Sequence, residues 1–130
     1  MTPKESSYPS DWLNIAQSDL DRAKRMLDDD DPDAAGFFVQ QTVEKHLKAY
    51  LLYHGWQLMR IHDLEALLNE ALTYDSSLED FRHLCQKASG YYFINRYPMP
   101  MSVGITVAEV RESLDQAITM IDTLRSGMGC

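Results

Sequence analysis

The stretch from Ala34 to Gly55, AAGFFVQQTVEKHLKAYLLYHG, constrains the fold more than any other part of the sequence. Its apolar residues recur at the period of an α-helix and form a stripe broad enough to pack against several neighbours. Asp31 and Pro32 are typical of a helix start, and Gly55 is typical of a helix end. A central helix surrounded by other helices is therefore predicted. The stripe consists of Ala35, Phe38, Val39, Thr42, Val43, Leu47, Ala49, Tyr50 and Leu51.

Helical spacing also marks the parts of the chain on either side of this stretch. We expect Ser10 to cap a first helix, a short third helix to begin near His62, and Ser76 or Ser77 to cap a fourth. Thr106 opens a capping-box pattern at the start of a last helix. The pattern predicts an all-α fold, an antiparallel helical bundle of four long helices plus one short helix.

Length, cysteine content and charge limit what this bundle does. A chain of 130 residues suits a single domain, for which we expect loose ends at residues 1–9 and 126–130. The sequence has no long apolar run and no secretory signal, so a cytoplasmic protein without membrane partners is predicted. Its two cysteines lack metal-ligand spacing, and neither metal nor cofactor is expected. A net charge of -8 disfavours binding to long DNA or RNA.

The polar face of the central helix is a first candidate site. It carries Gln40, Gln41, Glu44, Lys45 and Lys48. Glu44 precedes Lys48 by one turn, the favourable order for an ion pair on a helix surface. Glutamine amides can hydrogen-bond to a base edge, and lysines can hold phosphate. A solvated helix surface is the alternative interpretation of the same residues.

A second candidate site lies at the start of the third helix, where Arg60, His62 and Asp63 stand close together. A helix N-terminus attracts anions, and Arg60 can add a bidentate contact to phosphate. Asp63 can instead cap the helix or hold the His62 imidazole, and the three residues do not decide between capping and ligand contact. If Lys48 and Arg96 lie at the same end of the bundle, they complete a positive pocket with Arg60 as the main phosphate anchor.

A third candidate site follows the aromatic run Tyr91, Tyr92 and Phe93. Such rings stack on bases in some proteins, but more often they fill a core or a dimer interface. We favour core or interface for Phe93 and one of the two tyrosines, and an exposed ligand-binding position for Arg96 and Tyr97. The many apolar residues from position 91 to 103 predict a homodimer with the Tyr91–Tyr97 region and the loop to Ile105 near the interface.

Four segments, taken in order, resemble the HEPN domain family, named for higher eukaryotes and prokaryotes nucleotide-binding. They are WLNIAQSDLDRAKRML, FFVQQTVEKHLKAYLLYHG, RIHDLEALL and NRYP. The resemblance covers nearly the whole chain and implies an antiparallel helical bundle that is usually a homodimer. It also implies frequent pairing with a minimal nucleotidyltransferase encoded nearby, often as a toxin–antitoxin pair.

The ribonuclease branch of that family carries an Arg followed after four to six residues by a His, and this signature is absent here. His is the usual proton-transfer group near neutral pH, and no His stands at the signature distance after an Arg. This argues against catalysis. The leading hypothesis is therefore a non-catalytic module that binds a nucleotide or a nucleotidyltransferase partner. A metal-independent ribonuclease toxin that combines Arg96 with a histidine such as His62 is the alternative. A structural dimerisation bundle without a ligand is the third hypothesis.

Overall fold

The computed structural model describes residues 5–96 and 104–130, with side chains described except at positions 94–96. The helices are α1 (Pro9–Asp28), α2 (Pro32–Tyr53), α3 (Leu64–Ala71), α4 (Arg82–Arg96) and α5 (Val107–Gly127). The described ranges contain no strand, and the predicted all-α bundle of four long helices and one short helix is confirmed. Among the described helices, none combines the length and apolarity needed to cross a membrane.

Helix α2 is the centre of the bundle, because α1, α3, α4 and α5 all pack against it. The predicted stripe is buried: Val39, Val43, Leu47 and Leu51 are inaccessible to solvent. Full burial of one such side chain contributes about 1.5–3 kcal/mol to folding. The stripe therefore holds the other helices in place around α2.

Short polar side chains begin three of the helices. Asp31 caps α2, Asp63 caps α3 and Thr106 caps α5, each by accepting a hydrogen bond from a backbone N–H of the first turn. The expected Ser10 cap is wrong, since α1 begins at Pro9 without a side-chain cap. Proline suits the first helical position because its φ is already helical and its missing N–H would have no partner there.

The beginning of α4 also differs from the expectation of a serine cap. Asp75 accepts a hydrogen bond from the backbone N–H of Ser77, and this starts a 3₁₀ turn, Ser76–Phe81, ahead of the helix. Arg82, the first residue of α4, donates to Glu65 of α3 at 3.1 Å. The expected start of the fourth helix is therefore replaced by a tight turn that ties α3 to α4.

The end of the chain packs against the bundle, contrary to the loose end expected at residues 126–130. Helix α5 runs through Gly127, and the following Met128 is buried. The backbone N–H of Cys130 donates to the carbonyl of Arg125 at 3.0 Å, which closes the last turn. The apolar side chain of Met128 explains this order, because its burial removes it from water.

Candidate functional site

The polar face of α2 is buried over much of its length. Gln40, Glu44 and Lys48 are only 2%, 5% and 1% exposed. The Lys48 ammonium donates to Glu44 Oε2 at 3.2 Å, and the Gln40 amide donates to Glu44 Oε1 at 3.0 Å. The solvated-surface interpretation is therefore wrong for these three residues, which we call the polar cluster. Pairing is required here, because an isolated charge is costly to remove from water.

Two side chains from other parts of the chain cover the polar cluster. The Trp12 ring of α1 lies 5.2 Å from the Lys48 ammonium, a cation–π distance. The indole N–H of Trp12 donates to the carbonyl of Ser6 at 2.7 Å, which orients the ring. From the loop before α3, His62 Nδ1 lies 3.1 Å from Glu44 Oε2. The helix α1 and this loop together explain why a polar face became buried.

The contacts of Asp63 and His62 show that Asp63 caps the helix and that a different carboxylate contacts the imidazole. Asp63 accepts from the backbone N–H of Glu65 at 3.0 Å and so acts as the cap of α3. His62 is held by Glu44 of α2 instead, while its side chain remains 68% exposed. The imidazole therefore has one nitrogen oriented by a buried carboxylate and its outer edge open to solvent.

Lysine 45 is also paired with a buried carboxylate, that of Asp19 in α1. Asp19 is 2% exposed; one of its oxygens lies 2.5 Å from the Lys45 ammonium and the other lies 3.0 Å from the guanidinium of Arg22. Asp19 was not among the residues predicted from the sequence. Its signal was spacing, because Asp19 lies three residues after Ala16 and four before Ala23, on the stripe that α1 buries.

Two cavities meet at His62. The first, the α1–α2 cavity, measures about 350 Å³, and the second, the α2–α4 cavity, measures about 440 Å³. Both volumes fall within the range of small-molecule sites. The α1–α2 cavity is lined by Glu5, Ser6, Asp11, Trp12, Ile15, Gln41, Glu44, Lys45, Lys48 and His62. The α2–α4 cavity is lined by Gln40, His62, Asp63, Ser89, Tyr92 and Phe93.

A serine that sequence analysis did not select lines the α2–α4 cavity. The hydroxyl oxygen of Ser89 is buried and has no hydrogen-bond partner among the described residues. Ser89 precedes Tyr92 by three positions, so both lie on the same side of α4. That spacing was visible in the sequence, but nothing in it distinguished this serine from any other helical serine.

The structure brings together five of the residues predicted to bind a ligand. Gln41, Lys45 and Lys48 line the α1–α2 cavity, Asp63 lines the α2–α4 cavity, and His62 lines both. They come from α2 and from the loop that leads into α3. The two candidate sites predicted separately from sequence are therefore one continuous region.

The remaining predicted ligand-binding residues are Arg60, Arg96 and Tyr97. Arg60 is exposed, lines neither cavity and forms no ion pair with any residue in the described ranges. The side chain of Arg96 and the whole of Tyr97 are outside the described residues. The Lys48 ammonium is neutralised by Glu44, so it adds no free positive charge to the expected pocket.

The aromatic run before Arg96 divides between core and surface. Tyr91 is buried, and its hydroxyl forms a 2.8 Å hydrogen bond with the hydroxyl of Ser113 in α5. Phe93 is 55% exposed to solvent, so it is not part of the core of this chain. Tyr92 is partly buried, with its ring centroid 5.5 Å from that of Phe93. An interface position for Phe93 stays a prediction.

Metal ligation has no candidate in the part of the chain that the structure describes. Within residues 5–96 and 104–130, His, Cys, Asp and Glu side chains form no group of three or more that could hold an ion. Burial raises the pKa of the Cys85 thiol to about 12, so this thiol stays protonated and weakly nucleophilic.

Comparison with known proteins agrees with this architecture. The chain is similar in fold to a crystal structure described as that of an archaeal HEPN homologue. The TM-score is 0.74 at 24% sequence identity, and the match covers 93% of this chain and 98% of the archaeal one. No curated protein sequence matches the chain. The family model of the HEPN domain matches residues 9–126. The chain therefore belongs to the HEPN domain family.

Proposed function

We propose that this HEPN-domain protein is a non-catalytic module that binds a nucleotide where the two cavities meet at His62. The observation that carries the proposal is the buried polar cluster at the floor of these cavities. Burying Glu44 and Lys48 costs several kcal/mol per ion before they pair, and apolar residues would fill the same space without that cost. A polar floor under two cavities is suited to a polar ligand.

The ion pairs of the two lysines support Arg60 as the contact for the phosphate of that nucleotide. Lys45 and Lys48 are already paired with Asp19 and Glu44. Arg60 has no ion pair among the described residues and stands two positions before His62. Arginine binds phosphate through a planar fork of donors. Arg60 is therefore the proposed phosphate contact, with His62 beside it.

Calorimetric titration with ATP and GTP tests the nucleotide claim. We expect saturable binding by the wild-type protein and weaker binding by His62→Ala. The matched control is His83→Ala, which changes an exposed histidine of α4 outside both cavities and should bind like wild type. Absence of binding of either nucleotide to the wild-type protein would overturn the proposal.

A partner protein is the second part of the proposal. The family resemblance supports a minimal nucleotidyltransferase encoded nearby, in a toxin–antitoxin arrangement. Co-expression with the product of such a neighbouring gene should give a complex that survives size-exclusion chromatography. Separate elution of the two proteins would contradict the partner claim and leave the nucleotide claim standing.

We also propose a homodimer that uses the C-terminal end of α4. Its support is the 55% exposure of the Phe93 ring, next to the partly buried ring of Tyr92. Exposed aromatic rings of this kind are enriched at contact surfaces. Light scattering at micromolar concentration should give twice the chain mass of 14.9 kDa. A monomer mass would contradict the dimer.

A ribonuclease is the competing function, and one contact favours it. His62 is oriented by the buried carboxylate of Glu44 and keeps an open edge, an arrangement that supports general acid–base chemistry. Incubation with tRNA and mRNA over a range of pH and metal concentration decides between the two. Cleavage that is lost in His62→Ala would replace the binding proposal by the catalytic one. Saturable nucleotide binding would exclude the third hypothesis, a bundle with no ligand.

A further inference from the structure

The α2–α4 cavity contains a buried hydroxyl group that has no hydrogen-bond partner among the described residues. This group is the hydroxyl of Ser89, which lines the cavity. A buried polar atom left without a partner costs about 1–3 kcal/mol. We infer that this cavity is a nucleobase pocket, an inference that rests on the proposed nucleotide binding and assigns its base to one place.

Gln40 supplies the second polar group of the pocket. Its amide nitrogen donates one hydrogen to Glu44 at 3.0 Å, and its amide oxygen accepts one from Gln41 at 2.5 Å. A primary amide has two hydrogens and two lone pairs, so one of each remains. Because both neighbours hold the amide in place and Gln40 is 2% exposed, the remaining donor and acceptor have a fixed orientation. The planar edge of a base offers complementary donors and acceptors.

The walls of the pocket favour a base over a phosphate. Tyr92 and Phe93 contribute aromatic rings, and stacking of a base on such a ring is worth about 1–3 kcal/mol. The described lining contains no lysine and no arginine, while Asp63 contributes a carboxylate. A phosphate would meet this negative charge with no lysine or arginine in the described lining to offset it. A neutral heterocycle fits the 440 Å³ space without that repulsion.

The inference predicts that nucleosides, which lack phosphate, bind this protein and compete with nucleotides. Ser89→Ala removes only the hydroxyl and should weaken nucleoside binding roughly fivefold, as expected for one neutral hydrogen bond. Ser89→Leu fills the cavity and should abolish binding of nucleosides and nucleotides. The matched control Ser126→Leu places the same side chain at an exposed site near the end of α5 and should bind like wild type.

The experiment is calorimetric titration of wild type and the three variants with adenosine, guanosine, cytidine and uridine, and then with ATP and GTP. Thermal melting of each variant checks its fold. Competition between a nucleoside and the nucleotide on the wild-type protein needs no variant. It therefore tests the shared pocket even where Ser89→Leu does not fold.

The outcomes separate this inference from the proposed function. Nucleosides that compete with nucleotides, together with loss of both in Ser89→Leu, would support the base pocket. Nucleotide binding that is unaffected by nucleosides and by both Ser89 variants would overturn the pocket and leave the proposed function standing. Absence of binding by every nucleoside and nucleotide would overturn both.

Discussion

Helix α2 carries two buried polar patches, and only one of them opens on cavities. The closed patch is His46, whose side chain is fully buried and whose Nδ1 lies 2.8 Å from the carbonyl of Thr42. Its Nε2 has no partner among the described residues, and it lines none of the cavities described. The open patch is the polar cluster, whose Glu44 contacts the exposed His62. His46 lies only two residues from Glu44 and two from Lys48 along the same helix.

The difference shows that burial of a polar group does not by itself indicate a site. Burial lowers the pKa of His46 from 6.5 to about 4; the contact with Thr42 raises it, the charge of Arg125 lowers it and that of Asp19 raises it. A histidine kept neutral inside the bundle behaves as a packing residue. Glu44 is also buried, but its partners lie at the walls of two cavities, so a ligand can reach the groups it holds.

The largest expected effect is a loss of stability when Glu44 of the open patch is replaced in Glu44→Ala. The change leaves the Lys48 ammonium buried and unpaired, which should lower the free energy of unfolding by about 3–5 kcal/mol. Urea denaturation measures this loss. The control Glu112→Ala, at an exposed position of α5, should stay within about 0.5 kcal/mol of wild type.

A second variant shows whether the loss comes from the unpaired charge. In Glu44→Gln combined with Lys48→Met, no ion remains to be paired, so most of the stability should return. A loss below about 1 kcal/mol in Glu44→Ala would show that water reaches Lys48. The polar cluster would then not be a buried patch comparable with His46.

The next effect is a pH dependence that belongs to the closed patch. Between pH 6.5 and about 4 the unfolded chain binds a proton at His46 and the folded chain does not. Stability therefore falls as pH decreases through this window, by about 3 kcal/mol for a difference of this size. Denaturation at a series of pH values measures it, and His46→Leu should remove this part of the slope. An equal slope in both proteins would contradict the assignment.

Ligand binding separates the patches further. Arg60→Ala should weaken nucleotide binding by about 1.5–3 kcal/mol, the range for a hydrogen bond to a charged group, and leave folding intact because Arg60 is exposed. His46→Leu should bind nucleotide as wild type does. Calorimetry with ATP and GTP measures both variants. Equal affinity of Arg60→Ala and wild type would remove Arg60 from the site.

The smallest expected effect concerns Asp63, the cap of α3, which follows His62 in the chain. Asp63→Ala removes the hydrogen bond to the Glu65 backbone and should cost about 1 kcal/mol of stability, whereas Asp63→Asn should keep most of it. Ser10→Ala, at a position that does not cap α1, should have no measurable effect. Thermal unfolding compares the three. If Ser10→Ala costs as much as Asp63→Ala, the cap assignments are wrong.

Much of the fold was predictable because helix periodicity and caps are local signals. The stripe of α2 was read from spacing alone, and Asp31, Asp63 and Thr106 begin helices as their side chains suggest. The errors were at Ser10 and at the start of α4. In both places a neighbouring residue, Pro9 or Asp75, starts the helix or turn instead. Local signals of similar strength compete there, and the sequence does not rank them.

The candidate site was predictable only in part. His62, Lys45 and Lys48 were selected by residue type and spacing, and the structure brings them to one region. The Glu44–Lys48 ion pair was predicted, but as a pair on a solvated surface. The contacts of Lys45 with Asp19 and of His62 with Glu44 were not predicted, because a partner on another element is not visible in a local pattern. Ser89 was missed because its importance is an unpartnered hydroxyl at a cavity wall.

By itself, the sequence determined an all-helical bundle around α2 and a set of polar residues on one side of that helix. These follow from the 3.6-residue period, which places side chains on faces without reference to other helices. Only the tertiary structure decided which polar side chains are buried, because that depends on α1 and the His62 loop covering Gln40, Glu44 and Lys48. Because desolvated charges need partners, Lys45 and Lys48 form ion pairs. Arg60 is exposed and forms no ion pair among the described residues.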